Sequence, residues 1–558
     1  MKLKIFIAIL IIGVIVFAAF SANRKNPFES AEDFPREALV FVQTADLPQL
    51  IKFCKDSKYM SSENFHDFQN NHLGRKLASR FEEFGTASGF SFDSETISSL
   101  TENRASFALY DIGKLEFVLI APMREEFFMA TKFAQYQTNF AEETLADGTK
   151  IYRKQVEADR GRQKQELIFT HLKGRFILTT SEKLLAQTIE NINGKSKKNR
   201  LSDEPLFSLL SQKIAPNLAT FWVNQTRLNN DYYFKRYWLM SAPKDLQNIR
   251  AGMFDLEIAD EKLVERRKFL LENPVKTEPI SAAQAKTLLT FLPNSIPFYR
   301  LQKADSKTIH ETIETTLFDV RKTASKPSTS HRSFYDLSEN YEANIDETEE
   351  IEEFEKNDLK IDFAKILQKT FPNAVIHFAN PELASAPKFI EFKRGAVFNL
   401  TLPARFAQNE FETEIARKFA AQMLVSAPNI SLNWETKTEN NFTWRELKLP
   451  MSAWKAAYIL RGNNLILTND SVFLREILSA ENNENFTVPM NQLTVINLDE
   501  KHNAYTRIFE HLAEKKAKDD FFTSNVESLL ESMSDIKKIE IRRNYVQNIL
   551  EEELVFFR

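Results

Sequence analysis

Residues 167–189 read LIFTHLKGRFILTTSEKLLAQTI, and residues 457–478 read AYILRGNNLILTNDSVFLREIL. In each, two short apolar runs flank a glycine-containing turn, Lys173-Gly174 or Arg461-Gly462. The apolar spacing then lengthens from about 2 to about 3.6 residues, at Thr180 and near Asn469, so each stretch predicts a β-hairpin feeding an amphipathic helix. A building unit used twice is architecture and carries no chemistry of its own.

Outward from these two stretches the order of elements also repeats. A strand at Ala38–Gln43 leads through Ala45-Asp46 into a helix from Leu47, and a strand at Ile296–Leu301 leads through Ala304-Asp305 into another. Both aspartates stand where an N-cap accepts the orphan amides of a first turn. Met129, Phe133, Tyr136 and Phe140 share one face of a predicted helix, as do Phe411, Ile415, Phe419 and Met423 in its counterpart. Each unit closes on a strand pair, Gly252–Ile258 with Leu263–Leu270 and Lys538–Arg542 with Leu550–Phe556. Hairpin-linked strands with helices in separate blocks predict an α+β fold of two diverged tandem units, each an antiparallel sheet with flanking helices, at 35–276 and 281–558.

Composition narrows the function classes. With 73 basic against 77 acidic residues in 558 the chain has no polyelectrolyte character, so nucleic acid is not an expected partner. Its 48 phenylalanines supply a large aromatic core, while 12 glycines leave few places for phosphate-cradling loops. One cysteine, Cys54, excludes intrachain disulfides and multi-cysteine metal sites.

The first 22 residues predict a transmembrane anchor, with 23–34 as a tether. Ile5–Ala22 holds 18 residues without a charge, roughly a bilayer's hydrocarbon thickness as a helix, and Lys2 and Lys4 precede it. A cleaved signal peptide is the competing reading, since Ala19-Phe20-Ser21 offers small residues. The expected placement is single-pass in an inner membrane, with the bulk on the periplasmic or extracytoplasmic side. Residues 324–358, Ser/Thr-rich and then strongly acidic, bury too little apolar surface to order themselves and read as a disordered insertion.

The first hairpin and the block LSDEPLFSLLSQKIAPNLATFWVN after it resemble an uncharacterised bacterial envelope family known as domain of unknown function 3352, over roughly Phe34 to Glu272. The second unit is similar in element order and in the Arg461-Gly462 hairpin alone. The resemblance implies an exported bacterial protein with an N-terminal membrane segment and no established activity, so it supplies no site residues.

No motif carries a reaction. The eight histidines show no HExxH or HxH spacing, and no catalytic, cofactor-binding or metal-binding residue is expected. Ser-x-x-Lys recurs four times, with Ser452/Lys455 the strongest candidate, but without the Lys-Thr-Gly that accompanies it in penicillin-binding enzymes. Cys54 reads as a small core residue. The acidic close Glu551-Glu552-Glu553 reads as the solvated edge of a terminal strand.

The one stretch suited to recognition is Asp231–Met240, where Tyr232, Tyr233, Phe234, Tyr237 and Trp238 interleave with Lys235 and Arg236. Aromatics beside cations suit a binding surface, and a helix burying its aromatics explains them equally. The expectation is therefore a non-enzymatic protein-interaction or scaffolding module with an envelope-protein partner. A carrier of a lipid or other apolar ligand, or a hydrolase with an unrecognised site, are the alternatives.

Overall fold

The computed structural model describes residues 27–56, 81–82, 84–86, 88–89, 103–124, 126–127, 137–156, 165–196, 198–234, 248–259, 261–318, 362–383, 390–423, 432–448, 455–480, 489–499 and 534–558. The chain divides into two compact units. The first runs to Val275 and takes back Tyr545–Arg558; the second begins at Lys276 and includes Ile536–Asn544.

In the first unit lie β1 (Val40–Thr44), β2 (Ala105–Asp111), β3 (Glu116–Pro122), β4 (Ala141–Thr144), β5 (Lys150–Val156), β6 (Gln165–Leu172), β7 (Arg175–Thr179), β8 (Ala219–Val223), β9 (Ile249–Ala259) and β10 (Lys262–Leu271). They pair antiparallel in the order β4-β5-β6-β7-β3-β2-β1-β8-β9-β10. In the second unit lie β11 (Phe298–Lys303), β12 (Pro372–Leu383), β13 (Ile390–Leu400), β14 (Trp434–Glu439), β15 (Phe442–Lys448), β16 (Lys455–Arg461), β17 (Asn464–Thr468), β18 (Gln492–Asn497) and β19 (Lys538–Val546). Their order, β14-β15-β16-β17-β13-β12-β11-β18-β19, is the same frame strand for strand. The last strand, β20 (Ile549–Phe557), belongs to the first unit and pairs with β10 over nine residues.

The expected α+β class and the N-terminal transmembrane helix are corrected. Antiparallel strand dominates the described residues, because β9, β10, β12 and β13 run through 10 to 12 residues, past the apolar segments that mark them in sequence. The longest described helix, Gln408–Met423, has 16 residues and is amphipathic. No described helix is long and apolar enough to cross a membrane, and residues 5–22 lie outside the described residues. The signal-anchor reading and the single-pass inner-membrane placement are withdrawn with it.

The helices are short covers on the strand frames. In the first unit α1 (Leu47–Asp56) follows β1, and α2 (Glu182–Ile192) and α3 (Pro205–Ser211) bury Leu184, Leu185, Ile189, Phe207 and Leu210 against Phe41, Val118, Ile177 and Trp222. The opposite face holds Phe117, Phe169, Phe176 and Leu178. Burial on both faces explains why Phe176-Ile177-Leu178 and Leu465-Ile466-Leu467 are unbroken apolar runs instead of alternating ones. In the second unit α4 (Ala282–Leu289) and α8 (Ser471–Leu478) cover one face. The other is covered by α5 (Ser306–Leu317), α6 (Phe363–Gln368) and α7 (Gln408–Met423).

Each hairpin-to-helix junction is fixed by three consecutive side chains. Thr179 and Thr468 donate their hydroxyls to the carbonyls of Phe117 and Arg394 on the neighbouring strand. One residue on, where the backbone turns away from the ladder, Thr180 accepts from the Phe117 amide and Asn469 from the Arg394 amide, so a side chain stands in for the missing strand. Ser181 and Asp470 then cap α2 and α8 by accepting from Leu184 and Phe473. The turns differ by one residue. Lys173 (φ +50°) and Gly174 (φ +72°) are both left-handed, the requirement of a type I′ turn, whereas Gly462 (φ +58°) is the first of its pair, the type II′ position.

A third glycine is required by packing. Gly395 on β13 faces Phe378 across the ladder, and a Cβ there would lie 2.5 Å from Phe378 Cε2 and 3.0 Å from Ile477 Cδ1, both buried. Gly395→Ala is expected to lower stability by about 1–3 kcal/mol through overpacking. A urea midpoint equal to wild type would remove this explanation.

Candidate functional site

Of the aromatic stretch the structure describes the side chains of Asp231, Tyr232 and Phe234. Tyr232 is 64% exposed on a short helical turn whose Phe234 is buried in the apolar cluster of Leu228 and Phe117. The Asp231 carboxylate caps that turn by accepting from the Phe234 amide. The Tyr233 side chain, Lys235, Arg236, Tyr237 and Trp238 lie outside what the structure describes, as do Ser452, the Cys54 side chain and residues 324–358. Lys455, the partner expected for Ser452, places its amine 3.5 Å from the buried Ser471 hydroxyl and 3.9 Å from the Glu446 carboxylate. Asp46 and Asp305 serve as caps, accepting from the amides of Gln49 and Thr308.

Two charged clusters stand out in the second unit. In the first, the nearly buried Glu412 on α7 accepts from Arg445 Nε (2.7 Å) and Nη2 (2.8 Å), from the Tyr458 hydroxyl (2.6 Å) and from Gln408 Nε2 (3.0 Å). Burial pushes this carboxyl up, but the bonds from Arg445, Tyr458 and Gln408 outweigh it and hold Glu412 below the usual carboxylate value. Burial, and then Glu412, raise the Tyr458 hydroxyl. Three of these bonds converge on Oε1 and one on Oε2, all from side chains of the fold, so this cluster joins α7 to β15 and β16.

The second cluster is different. Register places His377 of β12, Arg300 of β11 and Thr494 of β18 side by side in one cross-strand row, with Phe298 and Ile496 in the row next to it. Strand alternation turns all of them to the face opposite Tyr299, Leu301 and Ile376, which lie in the α4–α8 core. Arg300 is exposed. Its Nε donates to the Thr494 hydroxyl (3.2 Å) and its guanidinium lies 5.7 Å from the Phe298 ring centre, with no carboxylate in ion-pair reach among the described residues. Partial desolvation, then the positive charge of Arg543, hold it below the ordinary guanidinium value.

Beside it His377 is half-buried, and its Nε2, which is closed to solvent, has no hydrogen-bond partner among the described residues. Burial, then the charges of Arg394 and Arg300, push the ring down to about 4. Arg394 Nη1 donates to the Thr315 carbonyl of α5 (2.8 Å), which seats that helix next to the row. Because Nε2 is closed off, what this row presents outward is the Arg300 guanidinium. Among the described residues no cluster of three or more His, Cys, Asp or Glu side chains could hold a metal ion.

The corresponding rows of the first unit are apolar. There β1, β2 and β8 bring together Phe107, Val42 and Phe221, then Leu109, Val40 and Val223, against the Phe117 cluster. The frame therefore folds with hydrophobic residues at these positions, and the cationic set of the second unit is not what the frame requires.

The imidazole makes stability depend on pH. A histidine held near 4 when folded and near 6.5 when unfolded contributes in full above about pH 6.5 and loses that contribution as the pH falls toward 4, by up to about 3 kcal/mol. His377→Leu should flatten this acid limb relative to wild type. Parallel acid limbs in urea titrations at pH 7.5 and 4.5 would contradict it.

No family model matches the chain, and no curated protein matches it. Among solved structures it is similar to crystal forms I, IV and III of TP0453, at 11%, 11% and 12% identity and a TM-score of 0.25 in each. The alignments cover 44%, 47% and 46% of this chain and 80%, 85% and 86% of that one. Likeness at this level carries nothing about fold or function.

Proposed function

We propose that this chain is a non-enzymatic protein-interaction module whose contact lies on the Arg300 face of the second unit. The observation that supports this reading is the divergence of the two copies. Where the first unit places Phe107, Val42 and Phe221 in one row, the second places His377, Arg300 and Thr494. An exposed arginine stacked on an aromatic is a frequent anchor at protein interfaces. The family that the first unit resembles has no established activity, which accords with a binding role.

Carriage of an apolar ligand is supported less well. In the first unit Phe107 and Phe117 stack at 5.6 Å, and Phe140 meets Phe169 edge-on at 5.0 Å, so these rings contact one another. The test is photocrosslinking from Gln492, which shares the Arg300 face, in a native extract. A specific adduct that falls roughly tenfold in Arg300→Glu, with an unchanged melting curve, supports the proposal. The same adduct at the same yield in Arg300→Glu removes it.

A further inference from the structure

We infer that β14 pairs with the β14 of a second copy of this chain, edge to edge and antiparallel about a two-fold axis at Thr436, so that Glu435 faces the partner's Lys437. The inference is independent of the Arg300 face and concerns the end of the same strand order. β14 is the end strand of the second unit, and among the described residues it pairs with β15 alone. The turn that joins the two strands fixes which backbone groups are open. Asn440 (φ +50°) and Asn441 (φ +65°) are both left-handed and Glu439 pairs with Phe442, so this is a two-residue type I′ hairpin whose closing pair exchanges its backbone bonds. Bonded pairs then alternate, and Lys437 and Glu435 also bond inward to β15. The amides and carbonyls of Trp434, Thr436 and Thr438 point outward, a row able to accept another strand. Arg445 Nη2 reaches the Trp434 carbonyl (3.4 Å), a long bond that leaves that oxygen its second lone pair.

Charge selects both the occupant and the register. Two copies can meet only with outward-facing residues opposite one another, which confines the axis to single residues of the strand. An axis at Glu435 or Lys437 sets like charges face to face. One at Thr438 draws the left-handed Asn440 into the ladder, where the strand has already ended. The axis at Thr436 keeps Trp434 to Thr438 extended and sets Glu435 opposite the partner's Lys437 twice, in the closely spaced pairs between ladder bonds. Within one chain Lys437 and Glu435 bond each other at 2.6 Å with both side chains open to solvent, a pair worth little, so they exchange partners readily. Glu439 stays with Arg475 of α8 (2.9 Å). The matching edge of the first unit cannot pair with itself in this way. Among the described residues β4 pairs with β5 alone, and an axis at its exposed Glu142 or Glu143 sets glutamate against glutamate.

The test is sedimentation velocity of the whole chain over roughly 1–100 μM, since a single strand ladder covers less than a standard interface and associates weakly. Wild type should show a concentration-dependent exchange between monomer and dimer. Lys437→Glu and Glu435→Lys each bring like charges together across the axis, and each should raise the dissociation constant at least about tenfold. The double variant Glu435→Lys with Lys437→Glu restores opposite charges and should dimerise like wild type. An equimolar mixture of the two single variants should also associate, although neither does so alone. Thr436→Pro removes the central outward amide without touching a backbone bond to β15, and should be monomeric with an unchanged melting curve. If that variant fails to fold, the charge variants decide. A wild-type chain that stays monomeric, a dimer that survives Lys437→Glu, or a double variant no better than the singles would each overturn the assignment. Arg300→Glu should leave the dimer unchanged, and its loss there would overturn the assignment as well.

Discussion

Removal of residues 548–558, the far end of the chain, is expected to unfold or open the first unit. Those residues contain β20, which pairs with Lys262 to Leu270 of β10, and Ile549 sits in the same cluster as Leu270, Trp222 and Phe207. Ile549, Leu554 and Val555 are all buried, and at roughly 1.5–3 kcal/mol each their loss approaches the whole stability of an ordinary domain. Charge fixes the register of this pairing. Arg266, Arg267 and Lys268 stand opposite Glu553, Glu552 and Glu551, with ion pairs at 3.6, 3.8 and 2.5 Å. Glu552→Lys, which sets a buried positive charge against Arg267, is the single-residue version of the same experiment. Hydrogen exchange should show protection lost first in β10 and β9. Loss confined to the second unit would refute the pairing.

The second large effect is expected at Glu412. Glu412→Ala leaves Arg445 and the Tyr458 hydroxyl without their acceptor, and should cost about 2–4 kcal/mol. That is below the usual figure for a broken buried pair because Arg445 is about a quarter exposed. Since the folded carboxyl is held low, its contribution is complete above about pH 4.3 and is lost as the pH falls through the folded value. The double variant Glu412→Leu with Arg445→Leu should recover part of the loss. A double variant as unstable as the sum of the two singles would mean that the pair is not coupled.

Some of this was legible in the residues. The hairpins at Lys173-Gly174 and Arg461-Gly462, the helices after them and the caps at Asp46 and Asp305 fell where period and spacing placed them. The α+β class did not, because apolar period marks only strands that bury a face. Ala141–Thr144 is exposed at every residue, and Trp434–Glu439 alternates little, so neither edge strand announces itself. By itself the Glu551–Glu553 run reads as a solvated edge, since nothing local shows that its partner is Arg266-Arg267-Lys268, 283 residues away at Lys268–Glu551. The Arg300 face was illegible for the same reason. Alternation tells which side of a strand a residue takes, but only the register of β11 between β12 and β18 makes neighbours of Arg300, His377 and Thr494.

The return of β20 also sets a timetable for synthesis. At about 5–20 residues per second, roughly 14–56 s separate the emergence of Leu271 from that of Ile549. Throughout that interval the nascent first unit carries β10 as an open edge. Three consecutive cations are what blunts such an edge, because two nascent chains presenting Arg266, Arg267 and Lys268 repel one another, whereas the acidic β20 neutralises them. The basic run therefore works twice, as a guard until β20 emerges and as half of the lock once β20 has paired.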